Sequence, residues 1–277
     1  MNLNIVIPLK RYPLIFFFIL AYGIAWIPLA YVLATGKDSF VGISFFAPAI
    51  SAVIMTAANE GGAGIRALVS RLFLWRVDLK WYLIAILAPI VLELLAILTH
   101  KLLGDNTLSL KFADWIQMVP AQLPWLIIIL LFLTLSASGE ELGWRGYAMP
   151  RLQARYGSIW ASLILGLLWG FWHLPTFWIP GSPQYGLPIP GYVLATIGFT
   201  IIYTCIYNGT KGSVLLASLY HGASNLTLTY GNAIFHEIIS DLYLTLLALA
   251  ILVFIVIVVS GPNGFTGRQS FPNKDTA

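Results

Sequence analysis

Three short segments of this chain carry side chains able to do acid–base or hydrolytic chemistry. The first is Gly139-Glu140-Glu141-Leu142-Gly143-Trp144-Arg145-Gly146. On a helix Arg145 stands four residues after Glu141, the spacing at which side chains meet, so Glu141 is the paired carboxylate. Glu140 is turned about 100° away and has Trp144 as its own i+4 neighbour, a drier surface that suits a general base. The second is Trp169-Gly170-Phe171-Trp172-His173-Leu174-Pro175, where Trp169, one turn earlier, is expected to cover the face of His173. The third is His221-Gly222-Ala223-Ser224-Asn225, with His221 and Asn225 on one helix face. A carboxylate and two imidazoles can activate water; Glu140, His173 and His221 are also a zinc-type ligand set. The soluble His-Glu-x-x-His motif is absent, since His236-Glu237-Ile238-Ile239-Ser240 lacks the second His. Ser136-Ala137-Ser138-Gly139 lacks the first Gly of a Gly-x-Ser-Gly nucleophile, and no Gly-x-Gly-Asp is present. Taken singly, each segment also fits a plainer role: a charge cluster at a helix end, a satisfied core histidine, a polar stripe between helices.

The elements that must hold these residues are read from composition. Of 277 residues, 59% are hydrophobic and 9% charged, where a soluble domain has about 25% charged; mean hydropathy is +0.85. This excludes a soluble globular domain and a disordered chain. The single cysteine, Cys205, excludes a disulfide-stapled fold. Apolar runs of roughly 20 residues suit a bilayer. They fall near Pro13–Ala34, Val41–Ala58, Trp81–Leu102, Leu123–Arg151, Ser158–Phe177, Gly191–Tyr207, Ser213–Tyr230 and Ile238–Val259. The fold class is therefore all-α: a polytopic membrane helix bundle of about eight transmembrane helices. It forms one membrane domain over residues 1–277, with a catalytic core at about 123–230. The seventh run is weakened by polar residues and is expected inside the bundle. Segments Gly64–Trp75 and Phe112–Gln122 read as interfacial.

Basic residues give the orientation. With the N-terminus inside, twelve of fifteen Lys and Arg fall on the inner side: Lys10, Arg11, Arg66, Arg71, Arg76, Lys80, Arg145, Arg151, Arg155, Lys211, Arg268 and Lys274. Only Lys37, Lys101 and Lys111 lie outside. The expectation is a multi-pass plasma-membrane protein with both termini cytoplasmic, its basic charge directed to topology and not to nucleic acid. Ionisable groups within spans are functional candidates. They are Glu93, Glu140, Glu141, Arg145, His173, His221 and Asp241, while His100 and His236 sit at span ends. By helix rise, Glu140 lies about 18 Å, His173 about 22 Å and His221 about 12 Å from the inner ends of their spans. Three helices thus carry a carboxylate and two imidazoles to overlapping depths, which a charge cluster at the interface does not require.

Glu140-Glu141-x-x-x-Arg145, an aromatic four before His173, and His221-x-x-x-Asn225 resemble, in order, the three motifs of the CPBP family. This family comprises the CAAX-processing and bacteriocin-processing intramembrane proteases, also called type II CAAX prenyl endopeptidases or the ABI family. The resemblance covers about residues 123–230; its second motif is often written with Phe where this chain has Trp169. It implies that Glu140 and His173 activate water, that His221 and Asn225 stabilise the oxyanion, and that Glu141 and Arg145 hold the site together. The family has been described both as metalloproteases and as metal-independent glutamate proteases. The cofactor is thus a divalent metal such as zinc or none, and Asn225 favours Glu-activated water with no obligatory metal. The implied partners are membrane lipid and peptide or protein substrates, prenylated ones included. Two other readings stand beside this one. One is a proton-coupled transporter, against which no inverted repeat is seen; the other is a bacteriocin-immunity protein without protease activity.

Overall fold

A computed structural model of the chain describes residues 6–38, 40–103, 112–234 and 242–260. His236, Asp241, Lys111 and the tail from Gly261 lie outside the described residues. No strand occurs among those described. The helices are α1 (Val6–Arg11), α2 (Pro13–Thr35), α3 (Val41–Ser70), α4 (Leu79–Leu102), α5 (Phe112–Glu141), α6 (Met149–Trp172), α7 (Ile189–Gly209), α8 (Val214–Ile234) and α9 (Leu242–Ser260). A π-helical turn, Leu142–Ala148, joins α5 to α6.

By length and composition, five described stretches can cross a membrane: Pro13–Thr35, Val41–Phe73, Leu79–Leu102, Gln122–Trp178 and Ile189–Gly209. The fourth, at 57 residues, holds two expected spans. Its chain must double back, because Trp169 and Glu140 would stand about 44 Å apart on one straight helix and are in hydrogen-bond contact. The reversal sits at Gly157, whose φ of 77° lies in the left-handed region that glycine enters without steric cost. Ser213 caps α8 by accepting the Leu216 N–H at 3.1 Å. As the weak seventh run suggests, the first half of α8 is buried, and it packs on α4, α5 and α7.

Three expectations change. Phe112–Gln122 is not a separate interfacial piece but the first turns of α5; at 30 residues that helix outruns the hydrocarbon thickness. Gly64–Trp75 begins as the end of α3, beyond a break at Gly61 (φ 65°). The fifth span stops at Trp172, because Pro175 cannot continue the ladder and residues Leu174–Trp178 tighten into a 3-10 turn.

Small residues bring the motif helices together. A Cβ on Gly143 would come within 2.5 Å of the Pro48 backbone in α3, and one on Gly222 within 2.7 Å of the Thr134 nitrogen in α5. Helix α2 packs on the far side of the motifs. Phe17 stacks on Tyr147, and the Trp26 indole donates to the Trp172 carbonyl at 2.9 Å. The Trp172 indole donates in return to the Ala21 carbonyl at 3.1 Å, and Tyr22 donates to the Leu168 carbonyl.

Candidate active site

The π turn places the first motif. It adds a residue to the helical turn just where Glu141, Trp144 and Arg145 must all face inward, and every residue from Leu142 to Ala148 is buried. Both i,i+4 pairs form where the chain enters this turn. Arg145 meets Glu141 at 2.9 Å with both side chains fully buried, and Trp144 Nε1 points to Glu140 Oε2 at 3.4 Å.

Across helices the motifs close on one another. Trp169 Nε1 of α6 donates to Glu140 Oε2 at 2.8 Å. His221 Nδ1 of α8 lies 2.8 Å from Glu141 Oε1. Glu141 therefore bridges Arg145 and His221 and is more than the partner of a single cation. Arg145 is held between rings, its guanidinium 3.7 Å from the Tyr203 centroid and 4.9 Å from that of Trp169. Its Nη2 also reaches Thr200 Oγ1 at 3.5 Å. Paired on Glu141 and stacked on π faces, the cation is compensated where water is scarce.

His173 stands at the end of α6, not within it, and Nδ1–H donates to the Trp169 carbonyl at 2.9 Å. A carbonyl only accepts, so Nδ1 carries the proton and Nε2 is the nitrogen left for chemistry. The Trp169 ring meets His173 edge-on, at 5.6 Å between centroids and 65°, and does not cover its face as expected. The same indole stands 5.8 Å from the His221 ring, so Trp169 touches Glu140, His173, His221 and Arg145 together. Asn225 lies one turn beyond His221 and is exposed; it is not drawn into the buried network.

Three members of the cluster escape a reading by spacing: Thr200, Tyr203, and the link from Glu141 to His221. Thr200 did leave a trace, since Thr196, Thr200 and Thr204 recur every four residues in an otherwise apolar helix. Two other singled-out residues lie apart. Glu93 of α4 is buried beside Ser224 and Thr227. His100, expected at an interface, is 2% exposed and bonds the Ala96 carbonyl.

The metal reading meets this geometry unevenly. Among the described residues no group of three His, Cys, Asp or Glu is arranged to hold a metal ion. Glu140 Oε2 already accepts indole N–H groups, and Glu141 is committed to Arg145 and His221. Glu140, His173 and His221 as they stand do not form a ligand shell.

The fold and cluster define a multi-pass helical membrane protein in which Glu140, Glu141, Arg145, His173 and His221 gather in one site. The family profile described as "Type II CAAX prenyl endopeptidase Rce1-like" matches residues 121–227. The chain is 30% identical over 226 residues to CAAX prenyl protease 2 of Methanococcus maripaludis, covering 76% of this chain and 80% of that protein. It is 24% identical over 234 residues to Lysostaphin resistance protein A of Staphylococcus haemolyticus, covering 82% of this chain and 58% of that protein. The same protein of Staphylococcus epidermidis matches at 24% and is covered over 56% of its length. The chain belongs to the Rce1-like type II CAAX prenyl endopeptidase family. At family level its activity is that of an intramembrane endopeptidase.

Proposed function

We propose that this chain hydrolyses a peptide bond in membrane-associated protein substrates, prenylated CAAX-type tails being the substrate class its relatives suggest. Glu140, with the Nε2 side of His173, takes a proton from the attacking water. Oxygen adds to the scissile carbonyl carbon, the C–N bond breaks, and the departing amine receives the proton. The tetrahedral oxyanion is met by Asn225 and by His221, whose ring in that role carries protons on both nitrogens; paired donors are worth most where water is excluded. Glu141 and Arg145 keep His221 in place, and water activation needs no obligatory metal. The basic residues orient both termini to the cytoplasm of a plasma membrane, so the substrate is taken from the cytoplasmic side.

One observation carries this reading: side chains from three separate motifs join in one buried cluster through Trp169–Glu140 and His221–Glu141, each at 2.8 Å. The test is cleavage of a tagged membrane substrate by purified protein. Glu140→Ala and His173→Ala are expected to abolish cleavage. Wild-type rates in both variants would overturn the reading, and loss of proton-coupled flux in Glu140→Ala liposomes would favour a transporter instead.

A further inference from the structure

Both indole contacts of Glu140 fall on one oxygen. Trp169 Nε1 donates to Oε2 at 2.8 Å, and Trp144 Nε1 approaches the same atom at 3.4 Å. Among the described residues no donor reaches Oε1. An indole N–H donates and cannot accept, so it cannot take the proton that a general base must receive. A hydrogen bond from it to a carboxylate is charge-assisted and gains strength where water is scarce. The Trp169 ring is in turn held fast. It lies under Arg145, and its edges meet His173, Tyr203 and His221 at 5.6–5.8 Å. Trp144 is wedged against Trp172 and Phe17. Neither indole can swing away without disturbing several helices. The two equivalent oxygens of the carboxylate have therefore been made unequal.

We propose that Trp169, seconded by Trp144, is a positioning residue that fixes which oxygen of Glu140 meets the hydrolytic water: the indoles hold Oε2, and Oε1 accepts the proton. This rests on the peptidase reading above. It gives Trp169 a task that no purely hydrocarbon ring can perform. Phenylalanine at 169 keeps the ring against His173 and Arg145 but loses the N–H, and Glu140 then rotates between two equivalent presentations.

The experiment compares wild type, Glu140→Ala, Trp169→Phe, Trp144→Phe, and a protein carrying 3-benzothienylalanine at 169, an isostere of the indole with sulfur in place of N–H. Each is purified in the same micelle and assayed on the tagged substrate over a range of concentrations. The isostere keeps packing intact and decides the matter if Trp169→Phe does not fold. In Trp169→Phe and in the isostere, kcat is expected to fall about ten- to a hundredfold, the range of one hydrogen bond to a charged group, with KM within twofold. Trp144→Phe, which loses the longer contact, is expected to fall less. A wild-type kcat in the isostere while Glu140→Ala is inactive would overturn the proposal alone, as would a change confined to KM. Wild-type cleavage by Glu140→Ala would overturn the peptidase reading and the proposal with it.

Discussion

Gly222→Ala tests whether helix spacing sets the chemistry. Gly222 follows His221 directly and faces Thr134 of α5, seven residues before Glu141 on the same helix. A Cβ at 222 would stand 2.7 Å from the Thr134 nitrogen and 2.8 Å from its Oγ1, where ordinary contact begins at 3.4 Å. Two of the three atoms met first are backbone, so no side-chain rotation clears the way. Helix α8 must retreat from α5 by about 0.7 Å, which carries the 2.8 Å contact of His221 with Glu141 to about 3.5 Å, the limit of a hydrogen bond. Overpacking of this kind costs about 1–3 kcal/mol of stability. Loss of a charge-assisted bond at the site lowers kcat by about ten- to a hundredfold. The assays are substrate cleavage and equilibrium unfolding in mixed micelles. Gly23→Ala is the control: nothing lies within 4 Å of its added Cβ, and alanine in a helix interior stabilises by about 0.5–1 kcal/mol. If Gly222→Ala cleaves within twofold of wild type and unfolds at the same point, the close approach of α5 and α8 does not hold His221 in place.

Arg145→Met leaves Glu141 as a fully buried carboxylate without its cation and is expected to cost about 3–5 kcal/mol in unfolding; adding Glu141→Gln should recover much of that loss. Asn225→Ala is expected to lower kcat by about 10²–10³-fold through loss of one oxyanion donor. Its unfolding point should not move, because the residue is exposed. Active protein treated exhaustively with a strong chelator is expected to keep its cleavage rate, and loss of rate restored by zinc would assign the water to a metal.

What could be read in advance was whatever a single helix decides. The i,i+4 pairs of Glu141 with Arg145 and of Glu140 with Trp144 form even though the second residue of each lies in the π turn, since both pairs stay within one continuous helical stretch. The burial of the weak seventh run followed from the cost of exposing His221 and Ser224 to lipid. Contacts between helices were harder. Nothing in the spacing states that Glu141 also receives His221, or that Thr200 and Tyr203 of α7 flank Arg145, because helix rotation and register arise from packing. Trp169 is the sharpest case. As a residue type it reads as an apolar ring, and only the direction of its N–H makes it a donor to Glu140. The π turn was equally hidden, as no residue type marks it. The end of α6 was written in Pro175 but masked by the apolar residues around it.

The bonds from α2 to α6 bear on how this protein can be divided. The segment matching the family profile, residues 121–227, contains every motif residue and none of α2. Yet Trp26 caps the carbonyl of Trp172, the residue just before His173, while Tyr22 fastens the carbonyl of Leu168 just before Trp169. Cut out alone, that segment would keep its signature and lose the clasp at the end of the helix that presents its histidine. A chimera between relatives would have to exchange α2 along with the motifs, since the residues that clasp the end of α6 lie 146 positions earlier in the chain.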